Sequence, residues 1–268
     1  MSPTIATGTD KLLVDVEGHV ATVTFNNPAK RNAFSADMRA ALPGLLAALD
    51  HDSDVRVIVV TGAGDKAFAA GADISEFGEQ RTSPQARAGY DREQAAVAAA
   101  WAGLGKPVIA MIRGFCMGGG LLTALQADIR ISSDDSQFGI PAARLGLGYG
   151  FNGVTALNNL VGPAWTAEIL FSARRFSAAE ALAMGLVNRV IPADSLRETV
   201  RDLADGIARN APLTVAAAKS ALRAATQPAD RRDLAKVEAL VEACFRSQDY
   251  LESQRAFAEK RPPAFTGH

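Results

Sequence analysis

Pro107-Val108-Ile109-Ala110-Met111-Ile112 is apolar without interruption, and after Arg113 it runs into Gly114-Phe115-Cys116-Met117-Gly118-Gly119-Gly120. A short run with no polar alternation suits a strand buried on both faces. The glycines read as a turn, and Leu121–Gln126 beyond them as a helix. Upstream the same theme recurs. Val55–Val60 (VRVIVV) reads as a buried strand, Thr61–Asp73 as a Gly/Ala-rich loop, and an Ala-rich helix follows from about Pro84 to about Trp101. At the N-terminal end, Lys11–Val16 and His19–Phe25 alternate around Glu17–Gly18 and read as a hairpin, which Asn26-Asn27-Pro28 ends. Met38, Leu42, Leu45, Leu46 and Leu49 then recur at helical spacing behind Ser35 as N-cap, with a kink or short break expected at Pro43–Gly44. Downstream, Asp128–Ser132 and Gln137–Phe138 read as short strands and Gly146–Gly153 as a third Gly-rich loop. Helical patterns follow around Val154–Leu160 and Pro163–Phe171. From Asp194 onward the chain reads as successive helices. Strands alternating with helices, then helices alone, predict an α/β core with a helical C-terminal portion.

Composition narrows the function classes. The chain has 268 residues, 28 basic against 29 acidic side chains, and 48% apolar residues. That length suffices for one large or two modest domains with a sizeable core. A net charge of -1 provides no global field for gathering nucleic acid. The apolar runs are short and broken by Gly or charge, so no membrane span is expected. The N-terminal stretch lacks the apolar region of a secretory signal. Cys116 and Cys244 cannot form a disulfide framework, and a reducing cytoplasm is the expected compartment. His19, His51 and His268 are scattered, without zinc-ligand spacing, so no metal site is expected.

Three readings compete for the Gly-rich loops. Val55–Val60 running into Gly62-Ala63-Gly64-Asp65-Lys66-Ala67 approaches a dinucleotide fingerprint, but no helix opens directly on its last glycine to meet a pyrophosphate. Gly114-Phe115-Cys116-Met117-Gly118 matches a nucleophile elbow, but the only later His to serve as base is the terminal His268. The third reading needs no side chain. Glycines let the main chain come close to a ligand, and a helix start leaves N–H groups unpaired. Two such loops, one at Ala72 and one at Gly118–Gly120, could aim two N–H donors at one oxygen and stabilise an enolate or tetrahedral oxyanion. Equally, the glycines could serve only close helix–sheet packing, and both readings stay open on the residues alone.

Phe68-Ala69-Ala70-Gly71-Ala72-Asp73-Ile74, Lys106–Ala110, Gly114–Gly120 and Gln137-Phe138-Gly139 together resemble the crotonase (enoyl-CoA hydratase/isomerase) superfamily. The likeness continues through Ser177–Ala181, Gly185-Leu186-Val187 and the tail Ala256–Arg261, in order and over nearly the whole chain. It implies a spiral of ββα units over residues 1–195 and a C-terminal helical trimerisation region over 196–268. Trimers that often pair into hexamers are implied, as is fatty acid metabolism. It further implies an acyl-CoA substrate that brings coenzyme A with it, and no separate cofactor. On matching positions the thioester oxygen would be held by the Ala72 and Gly119 amides. CoA would lie near Lys30, Arg31, Ala33, Ala70, Asp73 and Ile74, and Phe257 and Lys260 would reach CoA from a neighbouring subunit. For Lys30 and Lys260, a solvated surface charge is the competing reading.

The departures bear on the reaction. A hydratase of this family places Glu at the positions held here by Leu122 and Ala142, and isomerases commonly use a carboxylate at the second. Neither Leu nor Ala can activate water, and losing acid/base assistance costs about 10²–10⁴-fold per group. Decarboxylation of a malonyl-type thioester, or an atypical isomerisation, is therefore expected over hydration, with a catalytically weak acyl-CoA-binding protein as the alternative. Tyr149, in Leu147–Asn152, matches a Tyr of the superfamily's methylmalonyl-CoA decarboxylases, although those carry His at the position of Ala72. A packing role with the hydroxyl bonded to backbone is the competing reading for Tyr149. Asp73 and Asp128 are expected to orient structure, and Glu168 to be solvated or paired. Glu76, near the entrance, could be a displaced acid/base group, with plain exposure as the default reading, and Asn152 could meet an acyl group.

Overall fold

A computed structural model describes residues 7–73 and 83–268, and it is an α/β structure. β1 (Leu12–Glu17) and β2 (Val20–Phe25) form the expected hairpin, in register from Leu12 opposite Phe25 to Glu17 opposite Val20. Beyond them the chain alternates between two sheets. β3 (Val57–Gly62), β5 (Val108–Ile112), β7 (Ile129–Ser133) and β10 (Arg189–Ile191) extend the first sheet in the order β1-β2-β3-β5-β7-β10. β4 (Ala67–Ala69), β6 (Phe115–Met117), β8 (Gln137–Gly139) and β9 (Phe176–Ser177) make the second, in that order. Helices close the successive strand pairs: α1 (Ala36–His51), α2 (Pro84–Gly103), α3 (Gly119–Ala124), α4 (Phe151–Ser172) and α5 (Ala178–Ala183). This is a spiral of ββα units.

The apolar strands are buried on both faces because two cores flank the large sheet. Ile58, Val60, Val108, Ala110 and Ile112 pack with the α1 stripe Met38, Leu42, Leu45, Leu46 and Leu49. Their neighbours Val57, Val59, Ile109 and Met111 face the other way, onto Leu196, Val200, Ala204 and Ala208 of α6 (Leu196–Ala208). Period-two alternation is thus hidden in a continuous apolar run because both sides are dry. From α6 on the described chain is helical, through α7 (Pro212–Thr226), α8 (Leu234–Arg246) and α9 (Gln248–Ala258). No helix among the described residues is long and apolar enough to cross a membrane.

Three local expectations are corrected. α1 runs unbroken through Pro43, where Leu42, Leu45 and Leu46 on either side are buried and hold the turn in place. Thr61–Asp73 is not all loop: it contains β4, and the turn Gly114–Gly120 contains β6. These three-residue strands are too short to show a period, as are β9 and β10. By contrast, Ser35 stands at the N-cap of α1 and Gly162, at φ 77°, divides α4 as the two helical patterns implied.

Candidate active site

The residue at the centre of the site is Ala72, held by a single bridge to Phe34. Phe34 N–H donates to Gly71 O at 2.8 Å, and Asp73 N–H donates to Phe34 O at 3.1 Å. Both bonds use Ala72's neighbours. In a planar trans peptide the N–H lies opposite the C=O, so with Gly71 O facing Phe34 the Ala72 N–H faces away from it. That N–H has no backbone acceptor among the described residues.

On the side to which it turns lies the start of α3. A Cβ built on Gly119 would come 3.5 Å from Ala72 N, and one built on Gly71 would come 3.3 Å from Gly119 N. Gly119 N–H likewise has no backbone acceptor among the described residues, while the preceding Gly118 N–H is used on Gly139 O at 2.8 Å. Close approach depends on glycine at two positions. Gly71 sits at φ +104°, and a methyl on Gly120 would stand 2.1 Å from Ala69 O. Two unpaired backbone donors from different loops therefore meet across a gap lined by glycine. Such a pair can share one anionic oxygen.

One helical turn beyond Gly119, Leu122 lies against Gly153 of α4. A methyl on Gly153 would touch Leu122 Cδ1 at 3.3 Å and Tyr149 Cδ1 at 3.6 Å, so the Tyr149 ring and Leu122 are close neighbours. Ala142 is buried in the 3-10 turn Pro141–Leu145 and joins the main core. Burial pushes the Tyr149 phenol above its ordinary range, and the nearby Tyr90 phenol of α2 adds to the shift. Tyr149 is therefore a neutral donor at physiological pH and not a base. Its hydroxyl has no hydrogen-bond partner among the described residues, so the expected bond to backbone is absent. Sequence reading passed over Tyr90, whose ring carries the Arg39 guanidinium 5.0 Å above it. The available signal was Arg39 itself, a charge among the apolar positions of α1.

The other candidates fall into place around this gap. Asp73, only 6% exposed, accepts from Lys30 Nζ at 2.6 Å, so Lys30 ties its loop to the residues after Ala72. Ala70 N–H donates to Arg31 O at 3.0 Å, and Ala33 is buried beside Phe34. Arg31 lies over the Phe115 ring at 5.1 Å. Ile74 and Glu76 lie outside the described residues. Phe257 is 88% exposed and Lys260 is exposed at the end of α9, away from any hydrogen bond to the residues above. Asn152 is exposed. Asp128 accepts from Val108 N–H and Lys219 and is structural, and Glu168 pairs with Arg174. Cys116 is fully buried, and burial pushes its thiol far up, which removes the nucleophile-elbow reading. β4 rather than a helix follows Gly62–Lys66, which removes the dinucleotide reading. No cluster of three or more His, Cys, Asp or Glu able to hold a metal occurs among the described residues.

Comparison with known proteins agrees with this architecture. The profile of the family described as enoyl-CoA hydratase/isomerase matches residues 15–268. The short-chain-enoyl-CoA hydratase of Clostridium acetobutylicum is 36% identical over 252 residues, covering 94% of this chain and 96% of that protein. The carnitinyl-CoA dehydratase of Proteus mirabilis is 36% identical over 266 residues, covering 96% and 98%. The crystal structure of an enoyl-CoA hydratase/carnithine racemase from Magnetospirillum magneticum superposes with a TM-score of 0.90 at 34% identity, over 97% of each chain.

Proposed function

The chain belongs to the enoyl-CoA hydratase/isomerase family of the crotonase superfamily, whose members act on acyl-CoA thioesters, and we propose that it decarboxylates a malonyl-type thioester through an enolate held by the Ala72 and Gly119 amides. The observation that carries this reading is the meeting of those two unpaired amides, with Leu122 one helical turn beyond Gly119 and Ala142 buried in the main core. Decarboxylation breaks the bond between the α-carbon and the carboxylate. Carbon dioxide leaves, the electron pair passes into the thioester, and the oxygen becomes an enolate that accepts both N–H bonds. Removing one such donor typically costs about 10²–10³-fold in rate. A proton delivered to the α-carbon then gives the shortened acyl-CoA. Tyr149, neutral and beside Leu122, is the donor, and water restores its proton.

Electrostatics favour this substrate class. A Glu about 5 Å from the substrate carboxylate would oppose binding by about 1–3 kcal/mol at an effective dielectric of 80 to 20. Leu122 and Ala142 carry no such charge, and an apolar wall favours neutral carbon dioxide over the carboxylate it comes from. Lys30, Arg31, Ala33, Ala70, Asp73 and Ile74 take the CoA side. Phe257 and Lys260 reach CoA of a neighbouring subunit in a trimer or hexamer built on residues 196–268. CoA arrives with the substrate, no separate cofactor takes part, and the enzyme works in the cytoplasm. Crotonyl-CoA tests the reading: its absorbance should persist with enzyme present, whereas rapid hydration would overturn the inference from Leu122 and Ala142. Tight binding of CoA esters with no turnover of any malonyl-type thioester would favour the acyl-CoA-binding alternative.

A further inference from the structure

We infer that Asn27 and Arg39 are positioning residues that set the aim and donor strength of the Ala72 amide, acting through Phe34; this rests on the oxyanion reading above. Asn27 Nδ2 donates to Ala33 O at 3.0 Å. The N–H of that same 33–34 peptide, on Phe34, donates to Gly71 O at 2.8 Å. Gly71 O and Ala72 N–H in turn belong to one peptide unit. Three amides thus lie in series, and the free end of the series is the N–H that faces the thioester oxygen.

Donation to the carbonyl of an amide draws electron density from its N–H, so each link strengthens the next donor by roughly 10–30%. Arg39 acts on the following peptide. Its Nη1 donates to Phe34 O at 3.0 Å, the same carbonyl that receives Asp73 N–H at 3.1 Å. Both flanks of Ala72 are pinned to Phe34, and a side chain pins the peptide on each side of Phe34.

Arg39 is only 3% exposed, and burying a guanidinium is costly unless its charge is used. Part of that charge is met by Glu93, whose Oε2 lies 3.4 Å from Nε, while the guanidinium plane lies over Tyr90. Another partner is the Phe34 carbonyl, one bridge away from the oxyanion donor. A cation fixed there favours negative charge on the thioester oxygen. It also holds the strand segment 33–34 at the spacing that keeps Ala72 opposite Gly119.

The test is the infrared carbonyl stretch of butyryl-CoA, labelled with carbon-13 at the thioester and bound to the full-length protein. Wild type should lower the stretch relative to free ligand, as expected for a carbonyl polarised by two donors. Arg39→Met and Asn27→Asp should each lose roughly 10–30% of that shift while probe affinity changes by less than about threefold, and Arg39→Lys should restore most of it. Asp has the shape of Asn but cannot donate to Ala33 O when ionised. Asn27 is only half-buried, so this variant keeps the test available if Arg39→Met does not fold. A wild-type shift retained in folded Arg39→Met and Asn27→Asp would overturn the inference while leaving the oxyanion reading intact. No shift in wild type would overturn the oxyanion reading and this inference with it.

Discussion

Among the described residues, Tyr149 combines a location near Leu122, across Gly153, with a protonation state suited to giving a proton. Replacing it by Phe removes one oxygen and keeps the ring, which packs against the main core. We expect kcat on methylmalonyl-CoA to fall about 10²-fold with KM nearly unchanged, read by steady-state kinetics. An unaltered kcat would return Tyr149 to packing. The pH profile has a matching sign. The phenol pKa is raised above the ordinary 10.0, so loss of the donor form should not set in until the pH exceeds 10.0. A falling limb of kcat near pH 8 that Tyr149→Phe abolishes would contradict this. Gly71→Ala probes the hole itself. At φ +104° a methyl is strained, and it would stand 3.3 Å from Gly119 N, in the space between the two donors. The expected outcome is a kcat reduction of about 10²-fold in a protein that still folds.

Among the elements, α3 and α7 show how the scaffold fixes the site. α3 lies against β4 so closely that Gly120→Ala would set a methyl 2.1 Å from Ala69 O, a backbone atom that cannot step aside. Overpacking of this kind costs about 1–3 kcal/mol or more, and both a lower melting temperature and lower activity are expected. α7 is anchored from below: Lys219 Nζ donates to Lys106 O at 2.6 Å and to Asp128 Oδ2 at 2.8 Å, next to the start of β5. Lys219→Met should cost about 2–4 kcal/mol in denaturant unfolding, because Asp128 is only part-exposed and loses its counter-charge. Much of this scaffold was legible in the sequence. The strands Val55–Val60 and Pro107–Ile112 stood out because burial on both faces leaves an unbroken apolar run. β4, β6, β9 and β10 did not, since two or three residues cannot display a period. The unbroken passage of α1 through Pro43 was equally hidden, because the residues that hold it are supplied by the fold. Ala72 and Gly119 were legible through their glycine neighbours. Asn27, Arg39 and Tyr90 were not, since their partners come from other elements.

For the whole molecule, the ββα spiral brings two distant Gly-rich segments to one gap, and no catalytic side chain is required to build it. The helical C-terminal portion leaves Leu222, Phe245 and Phe257 exposed, which suits covering a neighbouring subunit. We expect a mass of three or six times 28.1 kDa by sedimentation, and a monomer would remove Phe257 and Lys260 from any CoA contact. The enolate chemistry itself is tested most directly by incubating methylmalonyl-CoA with the enzyme in deuterium oxide and following the thioester by proton NMR. The expected result is propionyl-CoA carrying a solvent deuterium at the α-carbon, formed with release of carbon dioxide. Methylmalonyl-CoA left intact by an enzyme that rapidly hydrates crotonyl-CoA would contradict it.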